Sequence, residues 1–121
     1  MLKINTVSAE PTWIDMLPGV RMQVRPVAAL DVLHAREAAR DIYLTDAEAE
    51  TKDPAVSVTA GEAMVRACAR RVIAGWEGIG NEAGEALAVS PEAIDAAMTL
   101  PALYDRFETL VFAPALRGPT D

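Results

Sequence analysis

The stretch "TWIDMLPGVRMQVRPV", residues 12–27, sets the strongest limit on how this chain can fold. Val20, Met22 and Val24 alternate with Arg21, Gln23 and Arg25, so an extended segment here has one apolar and one polar face. Pro18-Gly19, directly before it, fits the middle of a type II turn, with proline fixing the first φ and glycine taking the positive one. Trp13 to Leu17 then forms the opposing strand, and the hairpin spans residues 12–26. Two strands alone are marginal in water and must lay their apolar face on something else. The rest of the chain reads as helix, so helices have to supply that cover.

From Val27 to Leu44, Ala28, Val32, Ala35, Ala39 and Ile42 recur at alternating steps of four and three, which builds one helix face. His34, Glu37, Arg40 and Asp41 gather on the opposite side. Residues 45–58 turn acidic and polar and are expected to be a mobile connection, although Thr45 and Glu48 have the spacing to cap a short extra turn. A second helix is predicted to start between Pro54 and Glu62, with Thr59 and Glu62 at capping-box spacing, and to run to Glu77. Met64, Val65, Cys68, Val72 and Trp76 project to one side of it, making Trp76 an anchor at its end.

Ser90 followed by Pro91 is a strong helix start, opening a short helix to Met98. Thr99 is expected to cap the last helix, "LPALYDRFETLVF", where Leu100, Leu103, Tyr104, Phe107, Leu110 and Val111 make the most apolar face in the chain. Asp105, Arg106, Glu108 and Thr109 are left to solvent, and residues 117–121 are expected to fray. Apolar residues make up 51% of the 121 and charged ones 24%, which suits a globular chain rather than a disordered one. The expected architecture is a single α+β domain, mainly α, with an N-terminal β-hairpin packed against three to four helices.

Most functional classes lose their footing in this composition. A net charge of −7 repels nucleic acid and acidic membrane surfaces, and the cluster Arg66, Arg70 and Arg71 reads as a face paired with carboxylates. No apolar run is long enough to span a membrane and the start lacks a secretion signal, so the expected location is cytoplasmic. The segment "GWEGIGNEAGEAL", residues 75–87, contains Gly78, Gly80 and Gly84, but a dinucleotide loop needs a strand before it and a helix start after it. Here the glycines are expected to end the second helix, with Gly78 left-handed and Asn81 to Gly84 forming a tight turn. His34, Glu37 and Asp41 share a helix face, yet a single histidine without a second ligand cluster argues for a solvated face. The serines Ser8, Ser57 and Ser90 lack a nucleophile-elbow setting, and Cys68, alone on an apolar face, suits buried filler. No catalytic residue, cofactor or metal is therefore assigned.

The order of features carries more than any one of them. The hairpin "W-x-x-x-LPG-V-x-M-x-V-RP", the alanine-rich helix, "A-G-W-E-G-I-G-N-E-A-G-E", and "S-P-E-A-I-D-A-A-M" leading to "LPALYDRFETLVFAPAL" resemble the tail assembly chaperones of long-tailed phages, prophages and gene transfer agents. The resemblance runs from Trp13 to Leu116. It implies a non-enzymatic protein that coats the tape measure protein, keeps its apolar helical segments soluble, recruits tail tube subunits and is absent from the mature particle. In that family a longer, frameshifted product is often made; this chain matches the short form. Self-association is compatible with such a role. Leu103, Phe107 and Leu110 on the final helix, with Trp76 nearby, are the candidate partner-binding residues, with core as the competing assignment for each. A small acidic regulatory binder, antitoxin-like or anti-repressor, is the alternative class.

Overall fold

A computed structural model describes residues 10–117. Strands β1 (Thr12–Leu17) and β2 (Val20–Val24) form the expected antiparallel hairpin, and Gly19 takes the positive φ, 78°, that the turn demands. The pairing slips between Asp15 and Leu17, where a bulge buries Met16 in the core and its carbonyl accepts a 2.7 Å hydrogen bond from Arg106 Nε. Arg106, expected in solvent, thus ties the hairpin to the C-terminal helices.

Two helices follow, α1 (Ala29–Glu48) and α2 (Val56–Val72), packed along each other. Ala35 and Ala39 are buried while His34, Glu37, Arg40 and Asp41 are exposed, as the periodicity of α1 requires. The connection is only 49–55, shorter than the predicted 45–58, and Lys52 closes it by donating to the carbonyls of Ala47 and Ala49. Neither predicted cap operates here. Thr45 and Glu48 lie in the last turn of α1, and Thr59 sits inside α2, whose N-cap is Ala55.

The main departure from expectation lies at the end of α2. Instead of continuing to Glu77, the helix stops at Val72 and the chain extends as β3 (Ile73–Glu77), pairing antiparallel with β2 to give the order β1-β2-β3. Arg25 N–H donates to Val72 O at 3.0 Å, so the helix ends where the open edge of β2 offers backbone partners. Trp76 is consequently a strand residue, not a helix anchor.

Beyond the glycine-rich stretch, α3 (Pro91–Ala97) starts as predicted, with Ser90 Oγ accepting from Ala93 N–H at 3.0 Å. Helix α4 (Pro101–Phe107) is capped by Leu100 rather than Thr99, whose hydroxyl turns back to Ala96 O. A π-helical turn, Glu108–Phe112, then joins α4 to α5 (Ala113–Arg117). The expected frayed tail falls outside the described residues except for Arg117. One apolar core lies between the inner sheet face and the helices, built from Met16, Met22 and Val24 against Val65, Cys68, Val72, Ile94, Leu103 and Phe107. With α4, the π turn and α5 counted as one continuous helix, the chain has four helices and a three-stranded sheet, an α+β fold, mainly α, as expected.

Candidate interaction surface

The glycine-rich stretch satisfies several of its amides within itself. Leu87 N–H donates to Ile79 O, Asn81 N–H to Glu85 O and Gly84 N–H to Asn81 O, while Asn81 Oδ1 accepts from Ala83 and Glu85 N–H. These five amides are thus turned inward to the loop's own acceptors, and the stretch follows a strand without itself opening a helix, as a dinucleotide loop would. The expected turn at Asn81 to Gly84 is present, but it follows a strand. Its effect is to fold the chain back over Trp76, whose indole Nε1 donates to Leu87 O at 2.6 Å. Gly78 has φ 85° and no room for a side chain, because an added Cβ would lie 1.9 Å from Gly19 O. This glycine thus locks β3 onto the hairpin turn.

A fully buried carboxylate, missed in the sequence, fixes α1 to the sheet. Asp31, 1% exposed, receives Arg25 in a bidentate pair at 2.7 and 2.7 Å, Arg71 Nε at 2.7 Å and Ala28 N–H at 2.8 Å. Arg25, and after it the Ala28 amide and Arg71, holds the Asp31 carboxyl far below the usual range despite burial. The other two arginines of the cluster are paired on the surface, Arg66 with Glu62 and Arg70 with Asp95. Cys68 is buried, and loss of solvent pushes its thiol up to about 11, which disfavours the thiolate. Ser8 lies outside the described residues. Among the described residues no group of three or more His, Cys, Asp or Glu side chains gathers to hold a metal, and no helix is long and apolar enough to cross a membrane.

The four predicted partner-binding residues do not form one face. Leu103 and Phe107 are interior, Trp76 is half-buried under the loop, and Leu110 is exposed. The π turn separates them. Ala113 N–H bonds to Glu108 O, five residues back, and with the widened turn Phe112 joins the predicted Val111 inside while Leu110 is left exposed. Pro114 follows at once and has no N–H to give to Leu110, which favours such a bulge.

Apolar surface gathers elsewhere. The first turns of α2 and the C-terminal helices flank an open groove of about 320 Å³, lined by Val58, Gly61 and Met64 on one side and Tyr104, Phe112 and Leu116 on the other. Val58 is 72% exposed and Leu116 46%. Glu62 and Glu108 add negative charge to the lining, and partial burial raises the Tyr104 hydroxyl further above its range, keeping it a neutral donor. Gly61 stands within a helix although nothing lies within 4 Å of the place its Cβ would take. An alanine there would fit and would favour the helix by about 0.5–1 kcal/mol, so the glycine carries a cost in helix stability that no close contact explains. Sequence reading passed over Val58 because it fell in the supposed connection, and over Leu116 because it adjoins the tail. A wider depression of about 800 Å³ beside the hairpin turn is lined by Asp15 to Arg21, Glu77 and Arg106. Its charges are largely spent on one another: Arg21 pairs with Glu77 at 2.7 Å and Arg106 holds Met16 O.

Residues 27–117 match the model of a family described as YdaY prophage protein. The chain belongs to the YdaY prophage protein family. Comparison with the curated proteins and with the solved structures gives no significant match. The matched span takes in α1, α2, β3 and every element after them, so both walls of the groove lie inside the part shared with the YdaY family, and the hairpin precedes it.

Proposed function

We propose that this prophage protein is a non-enzymatic tail assembly chaperone, acting in the host cytoplasm, that holds apolar helical segments of the tape measure protein and helps to recruit tail tube subunits. The observation that carries this reading is the groove between α2 and α5. It is apolar at its walls, carries Glu62 and Glu108, and has Gly61, a residue the helix itself does not favour, in its lining. A helical segment with large apolar side chains and flanking lysine or arginine is the occupant such chemistry accepts. The net charge of −7 supports the role further, because many copies on one apolar chain would stay soluble by mutual repulsion. The order of sequence features that resembles tail assembly chaperones points the same way, as does membership of a prophage family.

The test is co-expression with the tape measure protein of the same prophage, followed by pull-down and a solubility assay. Wild-type protein is expected to keep the tape measure protein soluble and to co-purify in many copies. Val58→Asp and Leu116→Asp, both at exposed positions, are expected to abolish this while leaving thermal unfolding within about 1 kcal/mol of wild type. An insoluble tape measure protein with wild type, or capture untouched by both substitutions, would refute the assignment.

A further inference from the structure

The outer face of α1 leaves a line of apolar and charged side chains uncovered. Leu30, Leu33, Glu37, Arg40, Leu44 and Ala47 recur at steps of three and four, the spacing of a coiled-coil seam, and all six are exposed. They lie opposite the buried face marked by Ala35 and Ala39. Leu30, Leu33 and Leu44 are each more than half exposed, an unusual cost for three leucines on one helix. None of the six lines the groove described above.

We propose that α1 pairs antiparallel with α1 of a second copy, about a two-fold axis passing between Ala38 and Ala39. In that register Leu33 meets Leu44 of the second copy, Leu30 meets Ala47, and Glu37 meets Arg40, each pair occurring twice by symmetry. Every apolar seam residue then faces an apolar one and every charged residue its opposite. The flanks agree as well. His34 and Asp41 lie on one side of the seam and Arg36 and Tyr43 on the other, and the two-fold keeps like sides together. His34 thus comes near Asp41 of the second copy, and Arg36 near Tyr43. A parallel pairing fails, since it sets Glu37 against Glu37 and Arg40 against Arg40. The 20 residues of α1 give a seam of about 30 Å, long enough for all three layers on each side of the axis.

The full-length chain is examined by sedimentation velocity as a dilution series, alone and as charge variants. Wild type is expected to dimerise with a concentration-dependent midpoint. Glu37→Arg and Arg40→Glu each place like charges in the central layers and should weaken dimerisation at least about tenfold. Mixing these two variants restores opposite charges and should return the dimer as a heterodimer, a result that misfolding cannot mimic. Leu33→Glu should leave a monomer with unchanged helical content. A wild-type monomer up to about 0.2 mM, a dimer indifferent to both charge variants, or a mixture that stays monomeric would overturn the pairing. A monomer that instead binds an unrelated helical peptide through Leu33 would assign the face to that partner and overturn it equally.

Discussion

At the scale of single residues, the chain depends on a few groups whose partners are distant in sequence. Asp31 collects Arg25 and Arg71, six and forty positions away, which no periodicity reveals; its own place in the first turn of α1 was the only visible hint. Asp31→Asn leaves two arginines without their charge, and a loss of about 2–3 kcal/mol at pH 7 is expected, the lower part of the range because both arginines are partly solvated. The pH dependence fixes the cause. A carboxylate held below its unfolded value of about 3.9 contributes fully above that value, and the contribution fades as pH falls toward the folded one. The difference in melting temperature between wild type and Asp31→Asn should therefore be constant from pH 7 to about 5 and shrink below about 4. A difference unchanged down to pH 2 would mean that shape, not charge, matters at this site. Gly78 offers a second test. Its positive φ and the 1.9 Å approach of a Cβ to Gly19 O predict a loss of about 2 kcal/mol or more for Gly78→Ala in urea unfolding. Gly84, with a similar φ but open space around it, should lose only about 1 kcal/mol by the same substitution.

At the scale of elements, the hairpin, α1 and the start of α3 were legible because each has a local signal: Pro18-Gly19 with alternation, alanine periodicity, and Ser90-Pro91. Strand β3 was not, because Val72 and Trp76 happen to continue the helical projection of Met64, Val65 and Cys68. Only the pair Val72-Ile73, β-branched and followed by Gly75, spoke against helix, and what decides the matter is the open edge of β2, a tertiary partner. The π turn was hidden for a related reason: the periodicity of the last helix assumes 3.6 residues per turn throughout, and Pro114 lies just past the predicted end of that helix. The two readings of that helix differ in a measurable way. With the π turn in place, Phe107→Asp should cost at least about 3 kcal/mol and unfold much of the population, whereas Leu110→Asp should stay within about 1 kcal/mol of wild type. Equal losses at both positions in denaturant melts would indicate that Leu110 packs inward and that the turn is α-helical.

For the whole molecule, the candidate surface was the least legible feature, since a groove is made where two elements meet and neither wall announces it. The helix predicted to bind did contribute Tyr104 and Phe112, but Leu103 and Phe107 proved to be the core beneath them. The two proposed surfaces, the groove and the α1 seam, together predict a property that neither has alone. Under the proposed chaperone role and the proposed pairing, a dimer would carry two grooves, and on a long chain with repeated apolar segments the second groove would bind at a high local concentration once the first is filled. Leu33→Glu, which breaks the seam and touches no groove residue, should leave the affinity for one short apolar helix unchanged. On a fragment bearing two such segments it should weaken retention by about 10²-fold, read as a faster dissociation in surface plasmon resonance. Val58→Asp should weaken the single segment directly and the two-segment fragment still more, because it removes the primary contact in both grooves. If Leu33→Glu reduced binding to the single segment as well, the seam itself would be touching the tape measure protein, and the division of labour between the two faces would fall.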